Sequence, residues 1–206
     1  MRLGDFAQAK GIFDGMLALY DLQNADLEYL LPYYAFAATK AGDSQSVPAY
    51  LQKFEVPMQR FDYYLTLAVT AGLGGKTSES LKYLELARHR RPFTQSRPLY
   101  TEYEFGEICE WLYQATKNPK FRDVAVSWAR SVEGFAPWFA WPYAMEARLT
   151  PDRNDRARAT AMAYYLDRKS ERLAKIPKSE IDIAVKQFAG RNPFLKTQRS
   201  PKESST

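Results

Sequence analysis

The fold is decided by residues 61–92, FDYYLTLAVTAGLGGKTSESLKYLELARHRRP. The first half carries apolar and small residues at spacings of three and four, which share one stripe of a helix: Tyr64, Leu67, Ala68 and Ala71. The second half repeats this spacing with Ser80, Leu84 and Ala87. Glycines 72, 74 and 75 interrupt the pattern between the halves, and Pro92 prevents its continuation. Since small residues let two helix axes approach closely, the stretch predicts a helical hairpin.

The same spacing resembles the tetratricopeptide repeat (TPR), whose pattern is W-x2-L-G-x2-Y, then A-x3-F and then P. The corresponding residues here are Tyr64, Leu67, Ala68 and Ala71, followed by Ser80, Leu84, Ala87 and Pro92. The chain departs from this pattern at three positions: Tyr64 replaces Trp, Ala68 replaces Gly and Ala71 replaces the second aromatic residue. Because alanine is much smaller than an aromatic residue, another side chain has to fill the space at Ala71. The resemblance implies a right-handed stack of hairpins, whose first helices line a concave groove for an extended peptide or a partner helix.

Breaks in the helical pattern recur along the chain at a repeat-like interval. Gly4, Gly42, Gly75 and Asn118 are 38, 33 and 43 residues apart. The residues before Gly42 predict a helix that starts near Pro32, with the inner stripe Tyr34, Ala35 and Ala38, and residues 46–55 predict its short partner. We therefore predict an all-α fold, an α-α superhelix of TPR-like hairpins with a C-terminal helical cap.

The remaining helices are less regular. Their predicted bounds are 99–116, 120–133, 143–149, 151–175 and 180–189. Thr150 is the predicted N-cap of the long fourth helix of this series. We divide the chain into TPR-like hairpins at 1–133, of which the first is incomplete, C-terminal helices continuing the array at 134–195, and a disordered tail at 196–206.

Composition limits the possible chemistry. The 206 residues carry a net charge of +5, and 14 of the many aromatic residues are tyrosines. One cysteine and one histidine exclude an internal disulfide and a zinc site of the usual ligands. No apolar run has the length of a membrane span. We expect either that the natural chain starts upstream of residue 1 or that Met1 begins a helical cap. The lack of a signal peptide at residue 1 therefore does not indicate the compartment.

The groups that could carry catalysis lack their partners. Helix 99–116 carries Glu102, Glu104, Glu107 and Glu110 without the Glu-x-x-His pairs of di-metal helical proteins. His89 lies among arginines with no carboxylate to orient it, and Cys109 lies on the acidic helix, which opposes thiolate formation. The Gly-Lys-Thr at 75–77 lacks the first glycine of a phosphate-binding loop. The sequence predicts a non-enzymatic protein without cofactor or metal.

Basic residues do not point to nucleic acid. They gather at 88–91 and again at 153–178, where aspartates and a glutamate are interspersed. Mixed charge on a helix is typical of a solvated face. We therefore expect another protein or a peptide as the partner.

The resemblance to TPRs places particular residues in the groove. They are Tyr29, Phe36, Thr39 and Lys40 in the second hairpin, Asp62, Leu65, Val69 and Leu73 in the third, and Tyr103, Glu107, Glu110 and Gln114 on the acidic helix. Lys40 is the only base among them, so the carboxylate clamp of peptide-binding TPRs is not evident. An exposed acidic, tyrosine-rich groove predicts a basic or aromatic partner segment. Reversing Glu107 and Glu110 to lysine is then expected to leave stability within about 0.5 kcal/mol.

A second interpretation rests on the densest aromatic cluster, GFAPWFAWPY at 134–143. Trp138, Trp141 and Tyr143 could stack on a carbohydrate or another flat ligand, or they could close the core at the joint between the repeats and the C-terminal helices. Exposure of the two tryptophans distinguishes these alternatives, because a stacking platform has to be accessible.

Overall fold

The computed structural model describes residues 5–19, 29–53, 61–90 and 98–188, and in these ranges its regular elements are helices. The α-helices are α1 Phe6–Leu19, α2 Leu31–Lys40, α3 Ser46–Lys53, α4 Phe61–Leu73, α5 Thr77–His89, α6 Pro98–Thr116, α7 Pro119–Phe135, α8 Ala140–Leu149, α9 Arg153–Leu166 and α10 Lys178–Phe188. The all-α prediction is confirmed for these residues. None of the described helices is long and apolar enough to cross a membrane.

The described helices divide into two compact units, Met1–Phe121 and Arg122–Thr206, with the boundary inside α7. In the first unit α4 packs against α2, α5 and α6. In the second unit α9 packs against α8 and α10. The division predicted after residue 133 stays a prediction, and the tail at 196–206 lies outside the described residues.

The hairpin of α4 and α5 forms as predicted. Ala68, Ser80, Leu84 and Ala87 are buried between its helices and their neighbours, and Ser80 Oγ donates a hydrogen bond of 2.6 Å to the carbonyl oxygen of Ala68. This contact requires the backbones of α4 and α5 to approach closely, which the small side chains of Ala68 and Ser80 allow. Gly75 has a φ of 80° in the turn, a conformation that favours glycine.

The space left by Ala71 is only partly filled. A cleft of about 280 Å³ lies beside it and is also lined by Thr39, Leu67 and Tyr83. The Tyr83 ring stacks on Tyr64 at a centroid distance of 6.4 Å.

Gly72 lies in the last turn of α4, where α6 approaches closely. A Cβ at this position would lie 2.8 Å from Leu112 Cδ2 and 2.9 Å from Ser80 Oγ. We expect Gly72→Ala to lower the free energy of unfolding by about 1–3 kcal/mol through overpacking, measured by urea denaturation. The matched control is Gly11→Ala in α1, where a Cβ meets no atom within 4 Å and helix propensity favours alanine by up to about 1 kcal/mol. Equal stability of the two variants would contradict the close contact.

The long helix predicted at 151–175 is wrong. Helix α9 ends at Leu166, and a short 3-10 helix follows at Leu173–Lys175. Asp167 Oδ1 accepts a hydrogen bond of 3.1 Å from the backbone N–H of Lys169, and this local turn competes with continuation of the helix.

A proline marks the start of α2, and an aspartate caps the start of α9. Pro32 lies in the first turn of α2, as predicted. The predicted N-cap Thr150 is wrong, because Asp152 caps α9 by accepting a hydrogen bond of 2.8 Å from the backbone N–H of Asp155. The Asp152 carboxylate, two residues after Thr150, therefore takes the capping role.

Candidate functional site

Three residues predicted to face the groove belong to the core instead. Phe36, Leu65 and Val69 are fully buried, so the prediction that a partner contacts them is corrected here. Helices α2, α5 and α6 all pack on α4, which leaves few accessible positions on it. Sequence spacing alone could not show that α4 is covered on several sides.

Other predicted groove residues keep some exposure. Tyr29 is exposed, Asp62 and Leu73 are half-buried, and exposed Lys40 has its Nζ 5.9 Å from the centroid of the Phe6 ring. Thr39 lines the cleft beside Ala71.

The acidic face of α6 is largely buried, which corrects the expectation that its glutamates are exposed. Glu102, Glu104 and Glu110 are buried, Glu110 being only 4% exposed, and Glu107 is half-buried. Glu110 accepts a hydrogen bond of 3.1 Å from Gln114 Nε2. The acidic helix therefore presents little free negative charge to a partner.

Glu107 is held by two tyrosine hydroxyls. Tyr103 donates to its Oε1 at 2.7 Å, and Tyr33 of α2 donates to its Oε2 at 3.2 Å. Burial, followed by the negative charges of Glu104 and Glu107, raises the pKa of Tyr33 above its ordinary value, so this hydroxyl stays protonated as a donor. Glu107 thus links α2 to α6, a structural role that the sequence analysis missed.

The single cysteine and the single histidine have ordinary surroundings. Cys109 is fully buried, and burial raises the pKa of its thiol, which disfavours a nucleophilic thiolate. Exposed His89 contacts Glu85 through its Nε2 at 2.8 Å, a partner four residues earlier that sequence reasoning overlooked. Within the described ranges no group of three or more histidine, cysteine or carboxylate side chains could hold a metal ion.

The three aromatic residues predicted to stack on a ligand differ widely in how far their side chains are buried. Trp138 is 64% exposed, Trp141 is half-buried and Tyr143 is only 4% exposed. Arg158 lies over the Tyr143 ring, with its Cζ 5.8 Å from the centroid. Tyr143 is therefore not accessible to a ligand, and a platform of these three rings does not form.

The two most exposed aromatic side chains of the described residues lie at the end of α7 and in the turn before α8. Phe135 is 52% exposed, and the ring of Phe139 lies 6.0 Å from that of Trp138. The backbone of this turn is fixed by hydrogen bonds from Ala136 N to Val132 O at 2.8 Å and from Phe139 N to Ala136 O at 3.2 Å. We call Phe135 and Trp138, with Phe139 beside them, the aromatic turn.

The second unit also contains an ion-pair cluster on α7, α8 and α9. Fully buried Glu146 accepts from Arg130 Nε at 2.5 Å and from Arg158 Nη2. Arg130 also pairs with Asp155 at 2.5 Å, and Arg158 with Glu133 at 3.0 Å. Burial, followed by the charge of Glu146, raises the pKa of Glu133 to about 8, although Arg158 opposes this shift.

This cluster connects the three helices. Its carboxylates are already engaged by guanidinium groups, so the geometry favours a structural role over an open binding site.

Comparisons of the chain with protein-family models, with curated proteins and with solved structures gave no match. The function is therefore inferred from the surfaces described above. Among the aromatic residues predicted to bind a ligand, Trp138 is the one with a largely exposed ring.

Proposed function

We propose that the chain is a non-enzymatic protein-interaction module, built on a TPR-like array, that binds an apolar segment of a partner protein through the aromatic turn. The TPR-like arrangement is supported by α4, which pairs with α5 and also packs against α2 and α6. It is further supported by the buried contact between Ser80 and Ala68, at two small-residue positions of the repeat pattern.

The observation that carries this proposal is the exposure of two large aromatic side chains three residues apart. Phe135 and Trp138 leave more than half of their surface in solvent. Tryptophan is enriched among the residues that contribute most to protein interfaces, because its large ring buries much apolar area when a partner covers it. An aromatic pair on the surface is therefore a reasonable anchor for a partner.

The backbone of the aromatic turn is held by contacts within the chain. Its two backbone hydrogen bonds and the buried side chain of Ala136 fix the chain between α7 and α8. A fixed backbone reduces the conformational entropy that binding would otherwise cost.

The partner chemistry differs from that predicted for the groove. The sequence predicts a basic partner segment from exposed Glu107 and Glu110, but both carboxylates have hydrogen-bond donors within the protein. A flat carbohydrate is also less well matched, since Tyr143 is buried. An apolar or aromatic protein segment suits the two accessible rings best.

A binding comparison with one matched control tests this function. Partners are first recovered with the wild-type chain and identified by mass spectrometry, and each is then purified and titrated by calorimetry. We expect Phe135→Ala with Trp138→Ala to weaken the interaction at least about thirtyfold, as for residues whose truncation costs 2 kcal/mol or more. Ile183→Ala serves as the control, because Ile183 is equally exposed on α10.

The control variant is expected to keep wild-type affinity. Equal affinity of the double variant and the wild type for every purified partner would exclude the aromatic turn as the binding surface. Loss of affinity in both variants would point to nonspecific apolar adhesion instead.

A further inference from the structure

A pocket of about 740 Å³ lies in the second unit, between the end of α9, the 3-10 helix and the start of α10. Its apolar lining includes Tyr164, Leu173, Ile176 and Ile181. Leu173 and Ile176 are buried in the core that these helices share, which anchors this side of the pocket. The volume falls in the range of small-molecule sites, about 300–1,000 Å³.

The polar part of the pocket is strongly basic. Glu171 is the one carboxylate among its lining residues. Four cationic side chains line it: Arg168, Lys169, Lys175 and Lys178. The lining therefore carries a net charge of +3. All four cations are exposed, and among the described residues Lys169, Lys175 and Lys178 form no ion pair within the salt-bridge distance of 4.0 Å.

The ion-pair cluster in the same unit has a different ratio of cationic to anionic side chains. There, two arginines are met by three carboxylates, so their charges are compensated within the protein. The pocket cations have one carboxylate for four charges. A bound anion would lower their mutual repulsion, and the effect would weaken with added salt.

We propose that this pocket binds a small amphipathic organic anion, with an aliphatic or aromatic body against the apolar lining and a phosphate or carboxylate head among the lysines. The body gains from removal of apolar surface from water. The head gains charge-assisted hydrogen bonds from ammonium groups, which are stronger than bonds between neutral groups. This binding is independent of the aromatic turn and of the interaction function.

Nucleic acid fits the pocket less well. A strand would need exposed rings for stacking beside the phosphate contacts. Tyr164 is half-buried and Arg168 covers its ring, with Cζ 5.4 Å from the centroid. The apolar lining of Leu173 and Ile176 also has no role in binding a phosphate backbone.

Five probes separate the contributions to binding. The full chain is titrated by calorimetry with octyl phosphate, octanoate, octanol and inorganic phosphate, and with a short oligo-dT. We expect saturable binding of at least one of the two octyl anions. Octanol and inorganic phosphate are expected to bind at least about tenfold more weakly, because each lacks one half of the recognition. Stronger binding of octyl phosphate would identify a phosphate head, and stronger binding of octanoate a carboxylate head.

Two matched double variants locate the site. Lys175→Gln with Lys178→Gln removes two pocket charges, while Lys82→Gln with Lys120→Gln removes two exposed lysines elsewhere. We expect the pocket variant to weaken anion binding about tenfold or more and the control to change it less than about twofold, with unchanged circular dichroism in both. Absence of saturable binding of both octyl anions, equal losses in the two variants, or binding of oligo-dT alone would overturn the proposal.

Discussion

Replacing Arg158 with methionine is expected to lower the free energy of unfolding at pH 8 by about 2–4 kcal/mol. Methionine keeps part of the apolar stem but removes the guanidinium that pairs with Glu133 and Glu146. The two neighbouring carboxylates, one of them fully buried, are then left with Arg130 as the remaining cation of the cluster. Since Arg158 is 34% exposed, we place the loss below the largest values for buried ion pairs.

The loss is expected to be smaller at pH 5. The pKa of Glu133 is raised from 4.5 to about 8, so between these values the folded protein holds a proton that the unfolded chain has released. The stability that the folded protein gains from binding this proton is complete below the unfolded pKa of Glu133. It is lost as the pH rises through the folded pKa. Wild-type stability should therefore fall from pH 5 to pH 8, and the variant should lose most where both carboxylates are ionised.

Urea denaturation followed by circular dichroism at pH 5 and pH 8 measures both effects. Arg153→Met on the same helix is the matched control, because Arg153 is exposed and lies outside the ion-pair cluster. The control is expected to stay within about 0.5 kcal/mol at either pH. Equal losses in the two variants, or a larger loss at pH 5, would contradict the assigned role of Arg158.

The parts of the fold that the sequence predicts well depend on local spacing. Ala68, Ser80 and Leu84 lie on stripes of two adjacent helices, and their burial follows from the period of 3.6 residues. The ion-pair cluster has no such signal, because its members lie on three helices. Arg130 and Glu146, for example, are 16 residues apart in the chain.

The acidic helix shows why exposure is harder to predict than secondary structure. A helix with four glutamates and no base was expected to be solvated, because burying unpaired carboxylates is costly. The cost is reduced at Glu107 by hydroxyl donors, and one of them, Tyr33, is 74 residues away in sequence. A pattern within one helix cannot show a donor that another helix supplies.

Reversing Glu107 and Glu110 to lysine is expected to lower the free energy of unfolding by about 3 kcal/mol or more, since hydrogen bonds to charged groups contribute about 1.5–3 kcal/mol each. The change removes the acceptor of Tyr33 and Tyr103 at Glu107 and places a second cation at a position that is nearly closed to solvent. This result is the reverse of the neutral effect expected from the sequence.

A double-mutant cycle isolates the bond between α2 and α6. Glu107→Gln keeps the size of the side chain and removes its charge, and Tyr33→Phe removes the hydroxyl that donates at 3.2 Å. We expect a coupling of about 0.5–3 kcal/mol between the two changes, the range for residues in direct contact.

Asp182→Lys is the charge-reversal control, because Asp182 is exposed, and it should stay within about 0.5 kcal/mol of the wild type. Thermal and urea unfolding of the wild type and the five variants measure these differences. Suppose instead that the Glu107 and Glu110 double variant is as stable as the Asp182 control. The carboxylates would then face solvent, Tyr33 would not link α2 to α6, and an acidic groove would again be the better site for a basic partner segment.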